Sequence, residues 1–280
     1  MCTYSAVFLD IDGTLLDSRH QIMPCTRSHL KYLHERGVPV ILCSARPPEG
    51  VKLVAEQAGV HGPVASYNGG LIFDENSAIL RDVGIDIQLA MDFREFVTER
   101  FPDLVVSAYL YNVWLAEDPQ HPVIAQEAAI TGCTPLKGSL EQVASAASHI
   151  HKLLCMGEAM RIRALQKELP QHFPQLMALR SKSTYLEILS PESTKGSAAK
   201  VLLEHYGLNP KQAVAFGDSD VDLDMLQYCG LGVAMGNASR QVKEAADYVT
   251  ASNDQEGVYI ALNSLRLKAP GGSRKPAKVR

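Results

Sequence analysis

The stretch Val7-Phe8-Leu9-Asp10-Ile11-Asp12-Gly13-Thr14-Leu15-Leu16 decides how the rest of the chain is read. A short apolar run ends in two carboxylates one residue apart, and a glycine then breaks it. Residues 4–9 read as a strand buried on both faces, the usual state in a parallel sheet. Carboxylates at the end of such a strand are costly to desolvate unless a cation, a shared proton or hydrogen-bond donors meet them. Taken alone, the pair also fits a plain Asp-Gly turn in which Asp12 and Thr14 bond locally. The choice rests on what stands at the other strand ends.

Three later stretches repeat the pattern. A strand over 38–43 runs into Ser44-Ala45-Arg46-Pro47-Pro48, placing a hydroxyl and an arginine beside a helix start, where an anion is well received. A strand over 64–67 ends in Asn68-Gly69-Gly70, and one over 213–216 ends in Gly217-Asp218, with Asp220, Asp222 and Asp224 close behind. Lys195-Gly196 opens a helix with Ala198, Val201, Leu202 and Tyr206 on its apolar side, ending at Gly207. Strands at 4–9, 38–43, 64–67, 213–216 and 231–235 alternating with helices imply an α/β fold with a Rossmann-like parallel sheet. Ligands of such sheets bind outside the carboxyl ends of the strands, so Asp10, Asp12, Ser44, Lys195 and Asp218 can converge on one crevice. Three acidic groups with few softer ligands favour a hard, oxygen-seeking cation, and Mg²⁺ is the usual such partner of a phosphate.

The alternation stops between these stretches. An antiparallel hairpin (71–73 and 78–80) is followed by a helix at 86–101, strands at 104–110 and 112–116, and a helix at 121–131. Then come a strand at 149–156, a helix at 158–169, and strands at 176–180 and 184–189. This is α+β, so the predicted organisation is a core of 1–82 and 190–268 interrupted by an inserted domain over 83–189. A last helix is expected near 255–266, and 269–280, rich in Pro, Gly and basic residues, reads as a mobile tail.

Bulk properties narrow the function. The 280 residues are 46% hydrophobic and 21% charged, without an apolar run long enough to span a bilayer, so no membrane association is expected. Asp10 and Asp12 interrupt the only early apolar run, which excludes a signal-like core and makes a cytoplasmic location the default. Six scattered cysteines form no CxxC or zinc-ribbon spacing and read as reduced thiols. A net charge of −4 argues against nucleic acid as a partner.

Asp10-Ile11-Asp12-Gly13-Thr14, Ser44-Ala45-Arg46, Lys195-Gly196 and Gly217-Asp218-Ser219 with Asp222, in that order, resemble the haloacid dehalogenase superfamily, and more closely its Cof-type branch. The resemblance covers the chain to about residue 265. It implies an α/β core with an α+β cap, and a Mg²⁺-dependent phosphatase acting on a small phosphorylated metabolite such as a sugar phosphate. Asp10 would be the nucleophile that forms an aspartyl-phosphate, and Asp12 the acid and base. The metal would be held by Asp10, the backbone carbonyl of Asp12, and Asp218. Ile11, Ser44, Ala45 and Lys195 would contact the phosphoryl group, and Asp222 would orient metal-bound water.

Two positions depart from the family pattern. Ala45 replaces the usual glycine of the second motif, and Val221 stands where an asparagine usually precedes the last aspartate. They motivate a second reading, a nearly inactive phosphosugar-binding protein; a phosphomutase on the same scaffold is a third. Tyr109, Tyr111, Trp114 and Arg163 are candidate substrate contacts, each also readable as packing or solvated surface. His149 and His151 share a strand face, but with no third ligand near them in sequence they read as surface or interface residues. Asn237-Ala238-Ser239 fits a glycosylation sequon without consequence in a protein that is not secreted.

Overall fold

In the computed structural model, which describes residues 3–270, the opening stretch forms the strand Ala6–Leu9, buried at every residue. It lies in the middle of an eight-stranded sheet. The order is Tyr248–Val249, Leu231–Ala234, Ala213–Gly217, Ala6–Leu9, Val40–Cys43, Val64–Ser66, Leu71–Phe73 and Ile79–Asp82. Strands are parallel as far as Val64–Ser66, after which Leu71–Phe73 returns antiparallel.

Side chains alternate between two cores. Val7, Leu9, Val40, Leu42, Val214 and Phe216 pack with Leu30, Val51, Val54 and Val258 from the helices Pro24–Glu35, Pro48–Ala58 and Gly257–Ser264. Ala6, Phe8, Ile41, Cys43, Ala213 and Ala215 pack with Ala198, Leu202 and Met225 from Lys195–His205 and Leu223–Tyr228. Because both faces are covered, the strands need no polar residues until their ends, which is why they read as unbroken apolar runs.

The described residues divide into two compact units, one holding those up to Arg81 and from Thr194 onward, the other Asp82–Ser193. The second unit has its own six-stranded sheet, ordered Leu136–Lys137, Val113–Ala116, Val105–Leu110, Lys152–Met156, Tyr185–Leu189, Met177–Lys182. Its pairings are antiparallel except the first. The helices Ile87–Arg100 and Ala159–His172 cover one face, with Phe93, Val97, Ile162 and Leu165 against Leu153, Cys155, Leu186 and Ile188. The register puts Tyr109 opposite both Trp114 and Lys152 on the other face. There Tyr109 stacks on Trp114 at 5.5 Å, and Lys152 lies 3.4 Å from Glu187. Arg163 is exposed on Ala159–His172, the helix covering the opposite face, and so is not part of that aromatic group.

Three expectations need correction. The strand predicted over 149–156 is broken at His151: His149–Ile150 pairs with Ile85–Asp86, while Lys152–Met156 joins the large sheet. The helices Leu223–Tyr228 and Arg240–Ala245 were not anticipated, because six residues are too few to display a helical period. Arg266, placed at the end of the last predicted helix, instead forms with Leu267 a parallel ribbon with Thr3–Tyr4. The tail expected over 269–280 lies outside the described residues from 271 on. Among the described residues, no helix is long and apolar enough to cross a membrane, and Cys25, Cys43, Cys133, Cys155 and Cys229 are free thiols.

Candidate active site

Three adjacent parallel strands deliver the polar residues. Asp10 follows Ala6–Leu9, Ser44 follows Val40–Cys43, and Asp218 follows Ala213–Gly217. Asp10 is tied to the neighbouring strand by its N–H, which donates to the Phe216 carbonyl at 3.1 Å. Lys195 enters from the first position of its helix, where the Thr194 hydroxyl accepts the Ser197 N–H and the Asp224 carboxylate accepts the Gly196 N–H at 2.9 Å. A β-carbon on Gly196 would come within 2.7 Å of Asp224, which explains the glycine after the lysine.

Lys195 is 2% exposed and donates to Asp10 Oδ1 and to Asp222 Oδ1, both at 2.5 Å. Asp222, fully buried, uses its other oxygen to accept the N–H groups of Asp218 and Ser219 and the Ser219 hydroxyl. It therefore fixes both the lysine and the loop that carries Asp218. Gly217 makes room for this, since a β-carbon there would lie 2.3 Å from that of Asp222.

The electrostatics are unbalanced. The ligating oxygens of Asp10, Asp218 and Asp222 lie within 4.8 Å of one another, and Lys195 is the ammonium that bridges two of these carboxylates. Burial pushes the Asp10 carboxyl well above the usual range against the pull of Lys195, with Asp222 and Asp218 adding to the push. Burial, then Asp222, raises Asp218 to about 6. Burial also opposes the charge on Lys195, but Asp10 and Asp222 more than offset it and hold its proton. Three carboxylates against one ammonium, in a largely buried, all-oxygen donor set, fit a hard divalent cation.

The remaining sequence candidates divide. Ser44 is buried at the strand end, its hydroxyl accepting the Arg46 N–H at 3.2 Å, and Ala45 is half-buried beside it. The Ile11 carbonyl is committed to the N–H groups of Leu15 and Leu16. The Asp12 side chain is outside the acidic cluster: it is half-exposed and held by Arg46, whose Nε and Nη2 donate to its two oxygens at 2.9 and 2.6 Å. Sequence reading gave Arg46 no such role, because a bidentate pair between residues 34 apart has no local signature.

Two other residues take part in ways the sequence did not indicate. The Thr14 hydroxyl donates to Asp218 at 3.0 Å. Asn237, read only as part of a sequon, donates from its amide to the Gly13 carbonyl at 2.8 Å and reaches Asp218 at 3.5 Å. An amide thus lies beside Asp218 from another loop, although Val221 supplies none. Gly13 has φ of 87°, and a β-carbon there would strike the Asp218 carboxylate at 2.4 Å.

The family model for haloacid dehalogenase-like hydrolases matches residues 7–262. A Haemophilus influenzae protein that carries a provisional phosphatase name is 35% identical over 259 residues, covering 92% of this chain and 97% of that one. The Bacillus subtilis 5-amino-6-(5-phospho-D-ribitylamino)uracil phosphatase YwtE is 26% identical, with 92% and 97% covered. A solved haloacid dehalogenase-like hydrolase from Bacteroides thetaiotaomicron superposes with a TM-score of 0.84 at 28% identity, covering 93% of this chain and 99% of that one. The chain belongs to the Cof-type haloacid dehalogenase-like hydrolases and is a phosphoric monoester hydrolase.

Proposed function

We propose that the protein is a Mg²⁺-dependent phosphatase that cleaves a small phosphorylated metabolite, a sugar phosphate being one such substrate, through an aspartyl-phosphate on Asp10. The observation that carries this reading is the largely buried group of Asp10, Asp218, Asp222 and Lys195 at the carboxyl edge of the sheet. Lys195 favours the ionised form of Asp10, the form that attacks. As the Asp10 oxygen bonds to phosphorus, the phosphorus–ester oxygen bond breaks and Asp12 protonates the departing oxygen. Asp12 then takes a proton from water as that water attacks phosphorus, releasing inorganic phosphate and restoring Asp10. Arg46 holds the Asp12 carboxylate in place between these steps.

Mg²⁺ bound by Asp10, Asp218 and the backbone carbonyl of Asp12 would offset the repulsion between nucleophile and phosphate. Ser44 and Lys195, with the backbone at Ile11 and Ala45, are assigned to the phosphoryl oxygens, and Asp222 to holding Lys195 and the Asp218 loop. The activity named for the relative YwtE, on a small phosphate monoester, agrees with this substrate class. Release of p-nitrophenol from its phosphate ester in Mg²⁺, compared between the parent and Asp10→Asn, tests the proposal. Equal rates, or no turnover by the parent across a panel of phosphorylated metabolites, would overturn it.

A further inference from the structure

The second unit contains a polar cluster that phosphate chemistry does not use. His149, 24% exposed at its side chain, and His151, fully buried, both direct Nε2 to one oxygen of Asp82, at 2.7 and 3.0 Å. The other Asp82 oxygen accepts the Tyr111 hydroxyl at 2.6 Å. Sequence alone supplied the two histidines without a third group, because Asp82 stands 67 residues before His149. The break in the strand at His151 lets both imidazoles reach one point: His149–Ile150 is held by Ile85–Asp86, and the His151 N–H donates to the Tyr109 carbonyl.

We propose that Asp82, His149 and His151 form a binding site for a divalent transition cation of borderline softness, with Zn²⁺ as the type. Two imidazoles and one carboxylate are the donor set such ions prefer over Mg²⁺, and three protein ligands leave a further coordination position for water. Their ligating atoms lie within 4.8 Å of one another. The surroundings provide outer partners: Ser148 Oγ lies 3.3 Å from His149 Nδ1, and Tyr111 holds the Asp82 oxygen that the histidines leave free.

Loading has a structural consequence. His151 Nδ1 now accepts the Tyr111 N–H at 3.1 Å, which places the ring proton on Nε2. When Nε2 binds the cation, that proton moves to Nδ1 and meets the Tyr111 N–H, so the Tyr111 peptide turns away. Tyr111 sits at the hairpin tip with φ of 51°, a left-handed conformation uncommon for a bulky side chain and held by these same contacts. The site is therefore coupled to the hairpin between Val105–Leu110 and Val113–Ala116.

Chelator-treated full-length protein titrated with Co²⁺, a spectroscopic stand-in for Zn²⁺, tests this independently of the phosphatase reading. The expected result is that one equivalent gives the intense visible bands of a low-coordinate imidazole site. Those bands persist in Asp10→Asn, and affinity falls roughly 10-fold or more in His149→Gln and Asp82→Asn. Zn²⁺ should also shift the Tyr111 amide resonance in the parent. Absence of bands in the parent, or bands unchanged in a folded His149→Gln variant, overturns the proposal. If His149→Gln does not fold, the parent's bands and its Tyr111 shift decide alone.

Discussion

Two carboxylate-bearing clusters among the described residues solve opposite problems. At the edge of the parallel sheet, Asp10, Asp218 and Asp222 are gathered around Lys195, so anions outnumber the cation among them. In the second unit a single carboxylate, Asp82, is met by three donors from Tyr111, His149 and His151. The first cluster is charge-unbalanced as it stands and gains from any hard cation. The second is satisfied by its own hydrogen bonds, and a cation must displace protons to enter. Surplus charge favours reactivity, whereas satisfied hydrogen bonds favour position.

Asp10→Asn keeps the shape of the side chain and removes the charge proposed to attack phosphorus, so turnover in Mg²⁺ should fall on the order of 10⁴-fold or more, with an unchanged circular dichroism spectrum. A fall of less than tenfold would place the nucleophile elsewhere. Lys195→Met leaves Asp10 and Asp222 buried without their partner. Urea denaturation at neutral pH without metal should show a loss of about 3–5 kcal/mol, and Mg²⁺ should recover part of it.

In the satisfied cluster the effects shrink. Asp82→Asn weakens charge-assisted bonds without stranding a charge, and a loss of about 2 kcal/mol is expected in the same assay. Tyr111→Phe removes one of the three donors and should cost about 1 kcal/mol. If Asp82→Asn proves as damaging as Lys195→Met, the contrast between the clusters is wrong.

The same charge imbalance sets a pH dependence. Folding raises Asp218 to about 6 and moves Asp10 the same way, so the folded state binds more protons than the unfolded chain between about pH 4 and 6. These groups therefore withdraw stability as pH rises through that window and restore it on acidification. Mg²⁺ competes with the same protons, so its gain in Tm should be larger at pH 8 than at pH 5. Differential scanning calorimetry at the two pH values measures this directly, and a gain independent of pH would detach the cation from Asp10 and Asp218.

Much of the reactive cluster was legible because each member sits where a local pattern changes. Asp10 and Asp218 end apolar strands, and Lys195 begins a helix before a glycine. The partners of Arg46, Thr14 and Asn237 were not foreseen, for the converse reason. Thr14 looked like part of a turn, Asn237 belongs to a separate loop, and Arg46 acts through a side-chain reach across 34 residues. The position of Val221 suggested a lost amide, yet Asn237 brings one to within 3.5 Å of Asp218.

The amino-acid sequence by itself determined the parallel α/β class, the α+β character of the middle segment, and which carboxylates, hydroxyl and lysine stand at strand and helix ends. Those follow from periods of two and 3.6 residues and from where they stop. Only the tertiary structure decided the partners: Asp12 with Arg46, Lys195 between Asp10 and Asp222, and Asp82 with the two histidines. Side-chain pairing across strands and loops depends on distance in space, which sheet order and register set and no local pattern encodes. The stretch from Val7 to Thr14 announced a charged strand end, and the surrounding fold made it one part of a four-residue site.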